Sequence, residues 1–160
     1  MSDPLWWPTE ATLTRKLREA TTLVSLAGAV TTADTEYTTF VDSCLKGARG
    51  RVRGAVEVKH DPEVLDALDA ESALWLQRIA TVIAAHTAYS DGTGDLAIPQ
   101  RLLDEFAQAE ADLENLATGK RRIGRAANQP GPKVNQAAGV VDHDPYRTGV
   151  SVAGFKLGFR

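Results

Sequence analysis

Apolar residues recur at steps of three and four between residues 10 and 118, a pattern that predicts α-helices rather than strands. It places four helical segments over residues 10–17, 34–58, 61–90 and 99–118. Pro8 and Thr9 supply the start of the first helix. Residues 23–30 lie between two pairs of threonines, and we expect this stretch to be partly irregular.

The second predicted helix combines an apolar stripe with three glycines. The stripe positions share one side of the helix and are Tyr37, Phe40, Val41, Cys44, Leu45, Ala48, Val52 and Val56. Gly47, Gly50 and Gly54 each lower helix stability by ~1 kcal/mol relative to alanine. These glycines are compatible with a close helix contact, with a kink, or with a helix that is simply weaker.

The third predicted helix has the clearest start. Asp61 is a good N-cap residue, and Pro62 suits the first helical position, where its missing N–H costs nothing. Apolar side chains then cover a wide face, so we expect this helix to be central and the most buried. A loop follows over residues 91–95, after which Pro99 opens the fourth helix and Gly119 is a natural stop.

The last forty or so residues differ from the rest in charge. Residues 1–119 hold 10 Lys or Arg against 19 Asp or Glu, whereas residues 120–160 hold 8 against 2. We predict an acidic helical body over residues 1–119, with a Trp-containing segment over residues 1–8, and a basic extended arm over residues 120–160. An acidic body with a basic arm suits contact with further copies of itself or with an acidic neighbour.

The end of the arm alternates like a β-strand. Val150 and Val152 share one parity, while Phe155, Leu157 and Phe159 share the other. A lone strand is not stable by itself and needs a partner sheet, most simply from a neighbouring subunit. The predicted fold class is mainly α, a small helical bundle of about four helices with an extended C-terminal arm that contains a short β-like segment.

The sequence offers little support for catalysis. His60, His86 and His143 lie far apart, and His86 falls on an apolar face, where a core or capping histidine is the favoured interpretation. Asp142, His143 and Asp144 are adjacent, and three adjacent residues seldom share one metal ion. Cys44 lies on the apolar stripe and is expected to be a small core residue. We therefore predict no enzyme, no metal and no cofactor.

The location of the protein follows from what its sequence contains. One cysteine excludes an intramolecular disulfide framework, and no basic stretch precedes an apolar run at the N-terminus. The longest apolar-rich stretch, over residues 79–89, is too short to span a bilayer. The protein is expected to be soluble and made in the cytoplasm.

Two sets of residues are expected to touch partners. The partner or oligomer interface is predicted to comprise Trp6, Trp7, Lys120, Arg121, Arg122, Arg125, Tyr146, Val150, Val152, Phe155, Leu157 and Phe159. A basic face of the second helix, which would meet DNA or an acidic partner or be merely solvated, comprises Lys46, Arg49 and Arg53. The Trp pair either covers one end of the bundle or anchors into a partner pocket, as interface Trp often does.

Four short stretches, taken in order, carry a resemblance to a known family. They are Phe40-Val-Asp-Ser-Cys-Leu45, Asp61-Pro-Glu-Val-Leu65, Ile98-Pro-Gln-Arg-Leu102 and Leu116-Ala-Thr-Gly-Lys120. Their order and spacing over residues 9–122 resemble the plan of tailed-bacteriophage head–tail connector (adaptor) proteins, notably the Mu-like group. The arm and the Trp pair lie outside that plan.

The resemblance implies a virion structural protein of the phage neck. Such a protein forms a homo-oligomeric ring of twelve copies beneath the portal, extends the DNA channel and offers a surface to the tail or to a stopper protein. It implies non-specific contact with packaged DNA, and neither catalysis nor membrane contact. The alternative is a nucleic-acid-binding accessory protein that uses the basic tail, and a third possibility is an enzyme with a site between subunits. The low pI of about 5.6 argues against sequence-specific DNA binding as the main function.

Overall fold

The computed structural model describes residues 4–18, 20–93 and 96–124, and within these ranges it is mainly helical, as predicted. A short 3₁₀ helix, Pro62–Asp66, separates the third and fourth of five α-helices. The α-helices are α1 (Glu10–Leu17), α2 (Ala20–Leu26), α3 (Thr35–Glu57), α4 (Ala70–Asp91) and α5 (Gln100–Ala117). The predictions for residues 125–160, including the β-like segment, lie outside the described residues.

The first helix begins and ends as predicted, and a second short helix follows it. Thr9 and Thr12 cap α1 reciprocally, each side chain bonding to the backbone N–H of the other. Residues 23–30 are partly irregular, as expected, because residues 27–30 lie outside any helix, but the pattern did not predict α2, which occupies Ala20–Leu26. Leu23 and Leu26 are fully buried there, so packing outweighs the modest helix propensity of the neighbouring threonines.

The third predicted helix starts later than expected. Asp61 makes no side-chain capping bond and precedes only the 3₁₀ helix. The long helix α4 instead begins after Asp69, whose carboxylate accepts a hydrogen bond from the Ser72 N–H at 2.7 Å. Asp69 therefore provides the cap that Asp61 does not, and the 3₁₀ helix buries Val64 and Leu65 as a separate unit.

Helix α4 is the central element, as its wide apolar face predicted. Every residue from 79 to 85 is buried, and α4 contacts α1, α2, α3 and α5. The buried Thr81 satisfies its hydroxyl by donating to the Gln77 carbonyl at 2.7 Å. The other helices pack around this segment, each with an apolar stripe turned inward.

The predicted boundaries of α5 are confirmed. The helix begins directly after Pro99, and Gly119 ends it with φ +75°, donating its N–H to the Leu116 carbonyl at 3.0 Å. His86 of α4 stacks on Phe106 of α5, with ring centroids 3.8 Å apart. Desolvation, with a further contribution from Arg51, lowers the pKa of His86, so this histidine is a packed residue at the edge of the core.

Candidate interaction surfaces

The Trp segment is packed onto its own bundle. Trp6 is 4% exposed and belongs to the core, and its ring meets that of Trp7 edge-on at 6.2 Å. The Trp7 carbonyl accepts a hydrogen bond from the Gln77 side chain at 2.9 Å. Trp6 therefore covers one end of the bundle, which was one of the two alternatives for the Trp pair, and it is not available to anchor a partner in this structure. Trp7 keeps a partly exposed surface.

The predicted basic face of α3 is largely neutralised within the chain. Lys46 pairs with Asp42 at 2.6 Å and Arg53 with Glu57 at 2.5 Å, each across one helical turn. Arg49 turns toward the Trp segment, with its guanidinium 4.3 Å from the Trp7 ring centroid. Acidic residues one turn away and an aromatic ring therefore hold these three cations, and contact of this face with DNA or an acidic partner stays a prediction.

Two groups that lie far apart in sequence meet at one cavity. Trp6 and Trp7 line a space of about 240 Å³ together with Arg49 and Arg53 of α3. Arg49 fixes the approach by donating a hydrogen bond to the Pro8 carbonyl at 3.2 Å. The sequence identified the Trp pair and the basic residues of α3 separately. It gave no sign of their contact, because no periodic pattern links residue 8 to residue 49.

The first residues of the predicted arm pack against the bundle. The Arg121 guanidinium lies 3.8 Å from the Trp75 ring centroid and forms an ion pair with Asp112 at 3.7 Å. Ile123 packs on the core, while Lys120 and Arg122 are exposed. Arg121 is thus committed to its own bundle.

Gly124 continues this attachment at the N-terminus of α4. Its N–H donates to the Ser72 hydroxyl at 2.9 Å, and its carbonyl accepts from the Asp69 N–H at 3.2 Å. A Cβ at this position would collide with the Asp69 carboxylate. Contacts with the bundle therefore extend at least to Gly124. The remaining predicted arm residues, Arg125, Tyr146, Val150, Val152, Phe155, Leu157 and Phe159, lie outside the described residues.

The glycines of α3 form an exposed face that nothing in the described chain covers. Gly47, Gly50 and Gly54 follow one another at steps of three and four, which places them on the side of the helix away from the buried stripe. A Cβ at each of these positions would meet no atom within 4 Å. A close contact with another of the described helices is therefore not the reason for these glycines.

In the described part of the chain, no arrangement of side chains supports catalysis or metal binding. No three His, Cys, Asp or Glu side chains come together there as metal ligands would. Cys44 is buried, and desolvation raises the pKa of its thiol to about 11, which keeps it protonated at neutral pH. Among the described helices, none has the length and hydropathy needed to cross a bilayer.

Comparison with known proteins gives no relative. No protein-family model matches the chain, and neither the curated proteins nor the solved structures contain a significant match.

Proposed function

We propose that this protein is a structural subunit of a tailed-phage head–tail connector that assembles as a closed ring of twelve copies. The observation that carries the proposal is the opposition of charge between the acidic residues 1–119 and the basic residues 120–160. In the assembly, the ring docks beneath the portal, extends the DNA channel and presents a surface to the tail or to a stopper protein.

The completeness of the bundle core supports an assembly of separately folded bodies. Trp6 closes one end of the core, and the first turn after α5 is tied down by Arg121. A body that buries its own apolar residues can fold before it meets a neighbour. Assembly then depends on surface contacts and on the basic C-terminal residues rather than on a shared core.

The glycine face of α3 is the candidate lateral contact between copies. Glycines let two backbones approach more closely than any residue with a side chain permits. Each costs helix stability of ~1 kcal/mol relative to alanine, and no neighbour in the described chain requires it. A heterologous contact of this face with another surface of the next copy can close a ring.

The residues after Gly124 supply the second contact in this proposal. They continue the basic segment and include Phe155, Leu157 and Phe159, which alternate with Lys156 and Gly158. A buried Phe contributes ~1.5–3 kcal/mol, whereas an exposed ion pair contributes ~0–1 kcal/mol. Charge therefore orients the segment on an acidic neighbouring copy or on the portal, and burial of the aromatic residues holds it there.

A truncation after Gly124 tests the proposal more cleanly than one after Gly119, because the contacts of Arg121, Ile123 and Gly124 with the bundle stay intact. We expect the truncated chain to keep the helical circular dichroism of the full chain. We expect it to lose ring formation with purified portal protein, as measured by mass photometry and negative-stain imaging. Rings of undiminished yield from the truncated chain would refute the role given to the C-terminal residues.

Binding of duplex DNA separates this proposal from a nucleic-acid-binding accessory role. A protein whose main task is to hold DNA through several basic residues loses affinity steeply as salt rises, because counterions are released on binding. We expect DNA affinity of the isolated subunit to be weak at physiological salt. Tight DNA binding with a steep salt slope, together with no ring in the presence of portal protein, would favour the accessory role.

A further inference from the structure

A basic cavity lies between the end of α1 and the beginning of α5, away from the surfaces described above. Its volume is about 400 Å³. Four basic side chains line it, and they are Arg15, Lys16, Arg18 and Arg101. Among its described lining residues, Glu105 is the one carboxylate.

The clustering runs against the charge of the surrounding body. Four of the 10 basic residues in positions 1–119 line this cavity, but only one of the 19 acidic residues does so among the described residues. The local charge is therefore positive on a body that is otherwise strongly negative. A concave site concentrates such a potential and draws in anions that the rest of the surface repels.

Among the described residues, Glu105 neutralises part of the cluster and leaves the guanidinium groups of Arg15 and Arg18 without a carboxylate partner. Glu105 of α5 pairs with Lys16 of α1, and with Arg101 of its own helix at 3.1 Å. One carboxylate therefore binds a cation from each of the two helices. Burial alone would raise the pKa of Glu105, but its bonds and charge interactions with Lys16 and Arg101 outweigh burial and lower that pKa. In the described ranges, no carboxylate lies within ion-pair distance of Arg15 or Arg18.

Helix stability explains only part of this arrangement. Arg15 and Lys16 lie in the last turn of α1, where cations favour the helix dipole. Arg101 lies in the first turn of α5, where a cation is unfavourable, and that turn contains no acidic residue. The positive end of α5 therefore adds to the cationic cluster instead of being offset, which is the arrangement that an anion would stabilise.

We propose that this cavity binds a phosphate group. The planar guanidinium fork matches two phosphate oxygens at once, and a phosphate has enough acceptor oxygens to engage several of these groups together. The open guanidiniums of Arg15 and Arg18 bind the oxyanion first, and Arg101 shares its charge between the ligand and Glu105. The site depends on described side chains alone and stands or falls separately from the connector proposal.

Pyrophosphate and the double variant Arg15→Gln/Arg18→Gln in the full chain test this site. Titration by calorimetry at low salt should show binding to the unchanged protein. The variant should bind about tenfold more weakly or worse, since it loses two charge-assisted contacts. Arg78→Gln/Lys59→Gln is the matched control, because it removes the same charge at positions that do not line the cavity. This control should bind pyrophosphate as the unchanged protein does.

A short DNA duplex as competitor identifies the source of the phosphate. If the duplex displaces pyrophosphate and the cavity variant weakens duplex binding, the site takes a phosphate of the nucleic-acid backbone. If pyrophosphate binds at the cavity and the duplex does not compete, the site takes a free phosphate compound. Absence of pyrophosphate binding, equal loss in the control variant, or binding of an acidic peptide alone would each overturn the proposal.

Discussion

The two longest helices of the described residues use small residues for opposite reasons. Helix α4 has 22 residues and places Ala80, Ala84, Ala85 and Ala88 where other helices crowd it, and all four are fully buried. Helix α3 has 23 residues and places Gly47, Gly50 and Gly54 where nothing in the described chain approaches. The alanines of α4 are small because other helices pack against them, whereas the glycines of α3 have no such neighbour in the described chain.

This difference shows how a position's surroundings, rather than its residue type, locate a contact surface. A protein interior is packed closely enough that one added methylene group is felt. The alanines of α4 are therefore explained by the fold, whereas the glycines of α3 reduce helix stability without any compensating contact among the described residues. If the proposed ring forms, the glycine face is the surface of α3 at which its subunits would meet.

Enlarging a buried alanine of α4 should produce the largest effect. Ala84→Leu inserts three carbon atoms into a site that is 0% exposed, and overpacking of this kind costs about 1–3 kcal/mol of unfolding free energy. Urea unfolding followed by circular dichroism measures the loss. Gly50→Leu on α3 makes a larger addition at an open position and should not destabilise the chain, so a similar loss in both variants would contradict the comparison.

The N-terminus of α4 offers a second, smaller perturbation. Gly124→Ala places a methyl group on the Asp69 carboxylate that caps this helix, so either the cap or the attachment of residues 121–124 must shift. Loss of a helix cap costs about 1 kcal/mol, and we expect a destabilisation of that size in thermal unfolding. Gly119→Ala is a poor control because Gly119 has a positive φ. Gly54→Ala, on the open face, should not destabilise the chain.

The open face of α3 should respond with the opposite sign. Gly50→Ala meets no atom within 4 Å and should stabilise the monomer by ~1 kcal/mol, because alanine favours the helix. Gly50→Leu should keep the fold and reduce ring formation with portal protein. Mass photometry with the two variants separates folding from assembly, and a Gly50→Leu chain that assembles normally would remove the glycine face from the proposed interface.

Sequence patterns predicted most of the helical architecture because apolar spacing and terminal residues act locally. The start of α1 followed from Thr9, the limits of α5 from Pro99 and Gly119, the extent of α3 from its apolar stripe, and the burial of α4 from its wide apolar face. Two errors came from competition between local signals. Asp61 and Asp69 are both suitable caps before α4, and α2 contains threonines whose weak propensity is overridden by the burial of its leucines.

The interaction surfaces were harder to predict because they depend on contacts between distant residues. The sequence identified Arg49 and the Trp pair, but only the folded chain brings Arg49 over Trp7. The same is true of the cavity at which Arg101 meets Arg15 and Arg18, which lie more than eighty positions before it in the sequence. The sequence shows which residues are basic, but only the folded structure shows whether a carboxylate or an aromatic ring already contacts each of them.

The end of α4 provides the smallest expected effect, since His86 lies where the helix passes from the core to the edge. Burial is the largest cause that lowers the pKa of His86, the charge of Arg51 adds to it, and Glu110 and Asp91 oppose it. The unfolded chain, with an ordinary value near 6.5, therefore binds this proton more readily than the folded chain does. Stability should consequently fall as pH drops through that value.

Replacing His86 with Leu should flatten this part of the pH profile. Free energies of unfolding measured by urea between about pH 7.5 and about pH 5.5 should decrease more for the unchanged chain than for His86→Leu. A parallel profile for His86→Leu would show that His86 titrates alike in the folded and unfolded states, and that this end of α4 is more open to water than its stacked ring implies.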